Sequence, residues 1–185
     1  MPTPPPRTPR TPRKDQLRNR QLLIDAARAA FTELGPGLSV DAVARRAGVG
    51  PSTFYRHFAT KEALVEQLLD DLTEGSRQVA ERAVAVADPW EAFRTVFLHG
   101  CVLDESELHL FDILCRTGPT AADRGLRATT HLIGPSADRA RAAGLLRADV
   151  EVGDIATLMR MADSATDPRQ RRTTQDVMLA GLRRQ

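Results

Sequence analysis

Residues 39 to 61 read SVDAVARRAGVGPSTFYRHFATK, and this stretch decides the fold because it holds two short helices joined by a tight turn. Val40, Val43, Ala44 and Ala47 recur at i, i+3, i+4 and i+7, an apolar stripe that a helix must bury. Ser39 is placed to be its N-cap, Asp41 suits the positive end of the helix dipole, and Gly48 supplies a left-handed residue to end it. Gly50 then caps a second helix with Pro51 at its first position, where no amide donor is lost, and Val49 is set to pack on Phe54 as a hydrophobic staple. Phe54 and Phe58, four apart, form the buried edge of that helix. Ser52, Thr53, Tyr55, Arg56 and His57 are left on or near its outer surface, a set of donors with an aromatic ring suited to phosphates and base edges.

The order Ser39, Ala44, Ala47-Gly48-Val49, Thr53-Phe54-Tyr55-Arg56-His57-Phe58 and Lys61 resembles the DNA-binding domain of the tetracycline-repressor (TetR/AcrR) family. The resemblance runs from roughly Gln21 to Leu69, about a quarter of the chain. It departs from the family at Gly50, where many members carry a Ser that caps the helix and can touch phosphate. The resemblance implies an all-α protein of about nine helices, with a three-helix DNA-binding head followed by a helical bundle for ligand binding and dimerisation. It assigns position 61 to a phosphate contact. Ser39, Ser52, Thr53, Tyr55, Arg56, His57 and Lys61 are therefore the candidate DNA contacts.

Working outward, charge supports the same division. The net charge is +2, yet residues 1 to 61 carry 11 Lys and Arg against 4 Asp and Glu, while residues 62 to 185 carry 15 against 20. A basic head on an acidic remainder suits a nucleic-acid-binding unit, since phosphate neutralisation supplies much of the affinity for DNA. A composition of 42% hydrophobic and 27% charged residues is that of a globular protein. No apolar run reaches the roughly 18 residues of a membrane helix, and no hydrophobic segment follows the basic N-terminus, so a cytoplasmic protein without a membrane partner is expected.

Residues 1 to 14, MPTPPPRTPRTPRK, hold six prolines and are read as a disordered arm. Arg7, Arg10 and Arg13 would share one face of a polyproline helix, able to track a phosphate backbone or simply to be solvated. Residues 15 to 60 form the head, opening with a helix from about Asp15 to Leu34 whose apolar face covers the other two. Arg18 and Arg20 near its start are available to the DNA backbone. Residues 61 to 185 form the second domain. Thr60 can cap its first helix, and Lys61 in the first turn opposes the helix dipole at a cost of roughly a few tenths of a kcal/mol, which a function would explain. That helix runs to about Val86. Asp88-Pro89-Trp90-Glu91 then supplies a cap, a first-position proline and a capping-box glutamate, and further helices follow from about Glu105 to Arg116, Thr120 to Ala143, Val152 to Ala162 and Pro168 to Arg184. A kink or break is expected at Gly134-Pro135.

A catalytic site has little material. His99 and Cys101 are two apart and point in different directions on a helix, whereas His109, Asp112 and Cys115 share neither a second basic group nor an oxyanion donor. His99, Cys101, His109 and Cys115 match no zinc spacing, so no metal and no cofactor is assigned. The family resemblance implies instead a pocket between Trp90 and Met161, for which Trp90, Phe93, Phe97, His99, Phe111 and Met159 are the candidate lining residues. Ala180 and Gly181 beside Val177 and Leu182 allow close approach of a helix, either from a second copy or from within the chain. The expected function is that of a ligand-responsive transcriptional regulator, a repressor that binds a palindromic double-stranded DNA operator as a homodimer and answers to a small-molecule effector. The alternative is a DNA-binding regulator whose second domain binds a protein partner and no small molecule.

Overall fold

The computed structural model describes residues 12–100, 103–118, 121–165 and 167–184. The described residues form nine helices: α1 (Pro12–Leu34), α2 (Val40–Arg46), α3 (Pro51–His57), α4 (Lys61–Val84), α5 (Pro89–His99), α6 (Glu105–Cys115), α7 (Ala121–Ala142), α8 (Val152–Asp163) and α9 (Pro168–Leu182). The architecture is all-α, as the periodicity and the resemblance imply. The one β-type pairing among the described residues is an isolated antiparallel bridge between Leu146 and Arg183. No described helix is long and apolar enough to cross a membrane.

The chain divides into two compact units between Leu68 and Leu69. The first turns of α4 belong with the head, beyond the boundary at residue 60 read from the sequence, because they are tied to it. Lys61 donates to the Pro36 carbonyl at 3.1 Å, and Arg20 donates to Oε1 of Gln67 at 2.5 Å.

In the first unit α1 packs on both α2 and α3. Leu23, Ala27, Ala30 and Phe31 supply its buried face, and Val43, Ala44, Phe54 and Phe58 meet the same core. α1 begins at Pro12, three residues before the expected start, and a proline there loses no intrahelical donor. Arg13 therefore lies on helical backbone and not on a polyproline face, while Arg7 and Arg10 fall outside the described residues.

In the second unit α7 is the central helix, packed against α5, α6 and α8, with α9 closing on α5 and α8. Phe93, Val96, Ile133, Ala137, Ile155 and Met159 belong to one continuous apolar core. α7 continues without a break through Gly134 and Pro135. Pro135 cannot donate to the carbonyl four residues back, but its neighbour Ser136 donates its hydroxyl to the Ile133 carbonyl at 2.9 Å, which adds a local bond beside the missing one. Asp88 caps α5 through Trp90 and Glu91 amides, at 2.8 and 3.1 Å. Glu91 does not complete a capping box and pairs outward with Arg94.

Candidate nucleic-acid interface and the cavity of the second unit

The turn between α2 and α3 is fixed by backbone bonds. Gly48 takes φ +68°, the Val49 amide donates to the Ala44 carbonyl at 3.0 Å and the Gly48 amide to that of Arg45 at 3.1 Å. This pair of bonds is a Schellman motif, and it needs a residue without a Cβ penalty at Gly48. Ser39 caps α2, accepting from the Ala42 amide at 3.2 Å. Gly50 caps α3 by its backbone alone, with Pro51 following.

Phe54 is fully buried and Phe58 nearly so, their ring centres 5.8 Å apart. Anchoring on that edge turns Ser52, Tyr55 and Arg56 outward together, all three exposed, with Tyr55 at 56%. The Tyr55 ring stands edge-on to Phe54 at 5.4 Å, so its phenol is held away from the core on a firm support. The other candidate contacts are placed differently. Thr53 and His57 are half-buried, and Nε2 of His57 is buried without a hydrogen-bond partner among the described residues. Burial, followed by the charges of Arg56 and Arg20, holds the His57 imidazole below its ordinary pKa. Its neutral ring is thus favoured on the folded head.

Lys61 is half-buried, and one donor of its ammonium is engaged by Pro36. Arg20 is not a free backbone contact, since its guanidinium stacks 5.3 Å over Phe58 and bonds Gln67. Arg46 is paired with Glu33, whereas Arg18, read from the sequence as available to the DNA backbone, and Arg45, which was given no role, are both exposed cations of this unit.

The second unit contains a cavity of about 1020 Å³, walled by α4, α5, α6, α7 and α8. Of the candidate lining residues, Phe111 and Met159 border it. Trp90, Phe93 and Phe97 do not: Phe93 and Phe97 stack 6.0 Å apart in the packed core, and Trp90 lies under the Arg183 guanidinium at 5.1 Å. Phe93 and Phe97 point into the packed core, and from α5 the cavity is bordered only by Val96, which belongs to the same core, and by Gly100 at the C-cap. His99 is exposed and is not part of the wall.

Sequence reading missed the contribution of α4. Ser76 interrupts the run Leu72, Val79, Ala83 on the buried face of that helix and reaches the cavity, a signal that was legible as a lone hydroxyl in an apolar stripe. Arg139, also on the wall, donates to the carbonyls of Val84 and Val86 at 3.1 and 2.9 Å and so caps the end of α4.

The catalytic alternative finds no support in the packing of Cys115. Its thiol is buried and pushed up to about 11 by that burial, which keeps it protonated and weakly nucleophilic. Cys101 lies outside the described residues. Among the described residues no three His, Cys, Asp or Glu side chains are grouped to hold a metal ion.

Comparison with known proteins agrees with this geometry. Residues 23–68 match the family described as bacterial regulatory proteins, tetR family. The uncharacterized HTH-type transcriptional regulator YhgD of Bacillus subtilis is 32% identical over 72 residues, and the match spans 38% of this chain and 38% of that protein, well under half of its length. The TetR transcription regulatory protein from Mycobacterium vanbaalenii is 30% identical, with 93% of this chain and 99% of that one covered and a TM-score of 0.49. SmeT, the repressor of the Stenotrophomonas maltophilia multidrug efflux pump SmeDEF, shares the fold at a TM-score of 0.67 and 22% identity over 89% of this chain and 90% of its own, and a SmeT–triclosan complex is also known. With its helix-turn-helix matched in sequence and its all-α architecture shared, the chain belongs to the TetR family of transcriptional regulators.

Proposed function

We propose that this regulator is a repressor that binds a palindromic operator as a homodimer and is released by a small-molecule effector bound in the second unit. The observation that carries the DNA reading is the joint exposure of Ser52, Tyr55 and Arg56 on a helix whose opposite edge, Phe54, is fully buried. A hydroxyl, a phenol and a guanidinium on one short rigid helix suit base edges and phosphates in a major groove. Two such helices in one dimer would enter successive grooves about 34 to 36 Å apart. Ser39, Thr53, His57 and Lys61 act at the edge of this contact, Ser39 chiefly by fixing the start of α2.

Dimerisation is supported by the outer face of α9. Val177 is 68% exposed, and among the described residues no atom lies within 4 Å of where a Cβ at Gly181 would stand, so none of them covers this strip. An apolar strip with small residues permits close approach of a second copy. The effector reading is supported by the cavity, whose size is at the upper end of that of small-molecule sites. An effector shifts DNA binding only if it binds the DNA-competent and released states unequally.

The test uses fluorescein-labelled duplexes tiled across the intergenic DNA that flanks the protein's own gene. A symmetric duplex bound by two chains, as read by anisotropy and sedimentation, is the expected result. Equal affinity for every tile and for a scrambled duplex would refute operator recognition.

A further inference from the structure

The cavity of the second unit sorts its residues by charge and depth. The wall residues that are more than nine-tenths buried are uncharged: Ser76, Ala83, Val96, Phe111, Ser136 and Met159, with Gly100 beside them. The charged residues stand where water reaches them. Asp70, Arg77, Glu81, Asp112, Arg127 and Arg160 are exposed, and Arg139 and Asp163 half-buried, so the rim holds four positive and four negative groups. Several are already answered. Arg77 bonds Glu74 and Asp70, Arg127 lies 3.6 Å from Asp123, and Arg139 caps α4.

The hydroxyls on the wall follow the same rule. Thr73, Thr129, Ser136, Thr157 and Ser164 each donate to a carbonyl of their own helix. Ser76 is only 5% exposed, lines the cavity, and its hydroxyl has no hydrogen-bond partner among the described residues. A charged group carried to this depth would leave water and meet no opposite charge, a heavy cost in an apolar site. A single neutral hydrogen-bonding group, in contrast, would find one hydroxyl able both to donate and to accept.

We infer that the cavity takes a neutral, largely apolar ligand with one hydrogen-bonding group, a hydroxyl or carbonyl met by Ser76, and that it discriminates against anionic and cationic relatives of the same skeleton. This rests on the reading of the second unit as the effector-binding one. The rim charges, balanced in number, then serve solvation of the mouth and give neither sign of ligand an advantage.

The experiment uses the full chain and three fluorescent probes with one ring system, 1-pyrenemethanol, 1-pyrenecarboxylate and 1-pyrenemethylammonium, together with unsubstituted pyrene. The alcohol is expected to bind roughly tenfold or more tightly than either ion. Ser76→Ala should weaken the alcohol about fivefold and leave pyrene unchanged, the loss of one hydrogen bond. Equal or tighter binding of the carboxylate or ammonium overturns the inference, as does a Ser76→Ala effect of the same size on pyrene, which would mean a general packing defect. Absence of binding by all four probes also overturns it. Titrating the same probes into the protein–DNA complex separates the two readings: an alcohol that binds without releasing DNA supports the ligand class and refutes the effector role, whereas release by an ionic probe alone supports the effector role and refutes the ligand class.

Discussion

Lys61 donates from Nζ to the carbonyl oxygen of Pro36 at 3.1 Å, and the same ammonium lies 5.8 Å from the centre of the Phe31 ring. A side chain that opposes the dipole of α4 is thereby used as a strut between the start of that helix and the loop after α1. Its remaining donors are what a phosphate would meet.

Lys61→Ala should therefore act twice. Loss of a charge-assisted bond from a half-buried group lowers stability by about 1 kcal/mol, read as a lower urea midpoint. Loss of a phosphate contact lowers the slope of log affinity against log salt by about one. A reduced urea midpoint with an unchanged salt slope would leave Lys61 as a strut only.

Phe54 and Tyr55 are adjacent and should behave oppositely. Phe54→Ala removes a fully buried ring from a small core and should cost about 3 to 5 kcal/mol, unfolding the head. Tyr55→Phe removes only an exposed hydroxyl, so the melting curve should be unchanged while affinity for the operator falls. Thermal denaturation and anisotropy on the same preparations check both.

His57 gives the head a pH dependence with a defined sign. Its folded pKa is lowered by burial and then by Arg56 and Arg20, so the unfolded chain binds a proton first as pH falls through about 6.5. The stability held above that value is lost on acidification until the folded imidazole also protonates. Urea midpoints of the wild type should fall between pH 7.5 and pH 5 by more than those of His57→Gln. Parallel curves would mean that another group is responsible.

What the sequence revealed and what it concealed divide along the range of the interactions. Gly48 with its turn, the Ser39 and Asp88 caps and Pro51 at the start of α3 were legible because each depends on residues within four positions. The exposure of Tyr55 opposite Phe54 followed from helical period. The cavity wall did not. Phe93, Phe97 and Phe111 are alike in type, and only the packing of α5 and of α6 against α7 decides that the first two enter the core and the third borders the cavity. Arg20 was read as available to the DNA backbone from its place near the start of α1, and Lys61 was assigned to a phosphate by the resemblance and its opposition to the helix dipole, whereas their partners Gln67 and Pro36 lie 47 and 25 residues away in sequence.

Gly125 and Cys115 make a close approach of α7 to α6. A Cβ at position 125 would stand 2.7 Å from Sγ of Cys115. Gly125→Ala should destabilise the second unit by about 1 to 3 kcal/mol through overpacking. Cys115→Ala removes that sulfur, so in its background the same change should be neutral or stabilising, since Ala favours a helix over Gly. A double-mutant cycle in urea that shows simple additivity would contradict this contact.

If α3 reads the DNA, the decisive comparison is an anisotropy titration of the symmetric intergenic duplex and of a scrambled control with the wild type and with the combined Ser52→Ala, Tyr55→Ala, Arg56→Ala variant. The predicted result is a variant of unchanged melting temperature that no longer distinguishes the two duplexes and keeps only weak, salt-sensitive binding. A variant that retains wild-type affinity and preference for the symmetric duplex would contradict it.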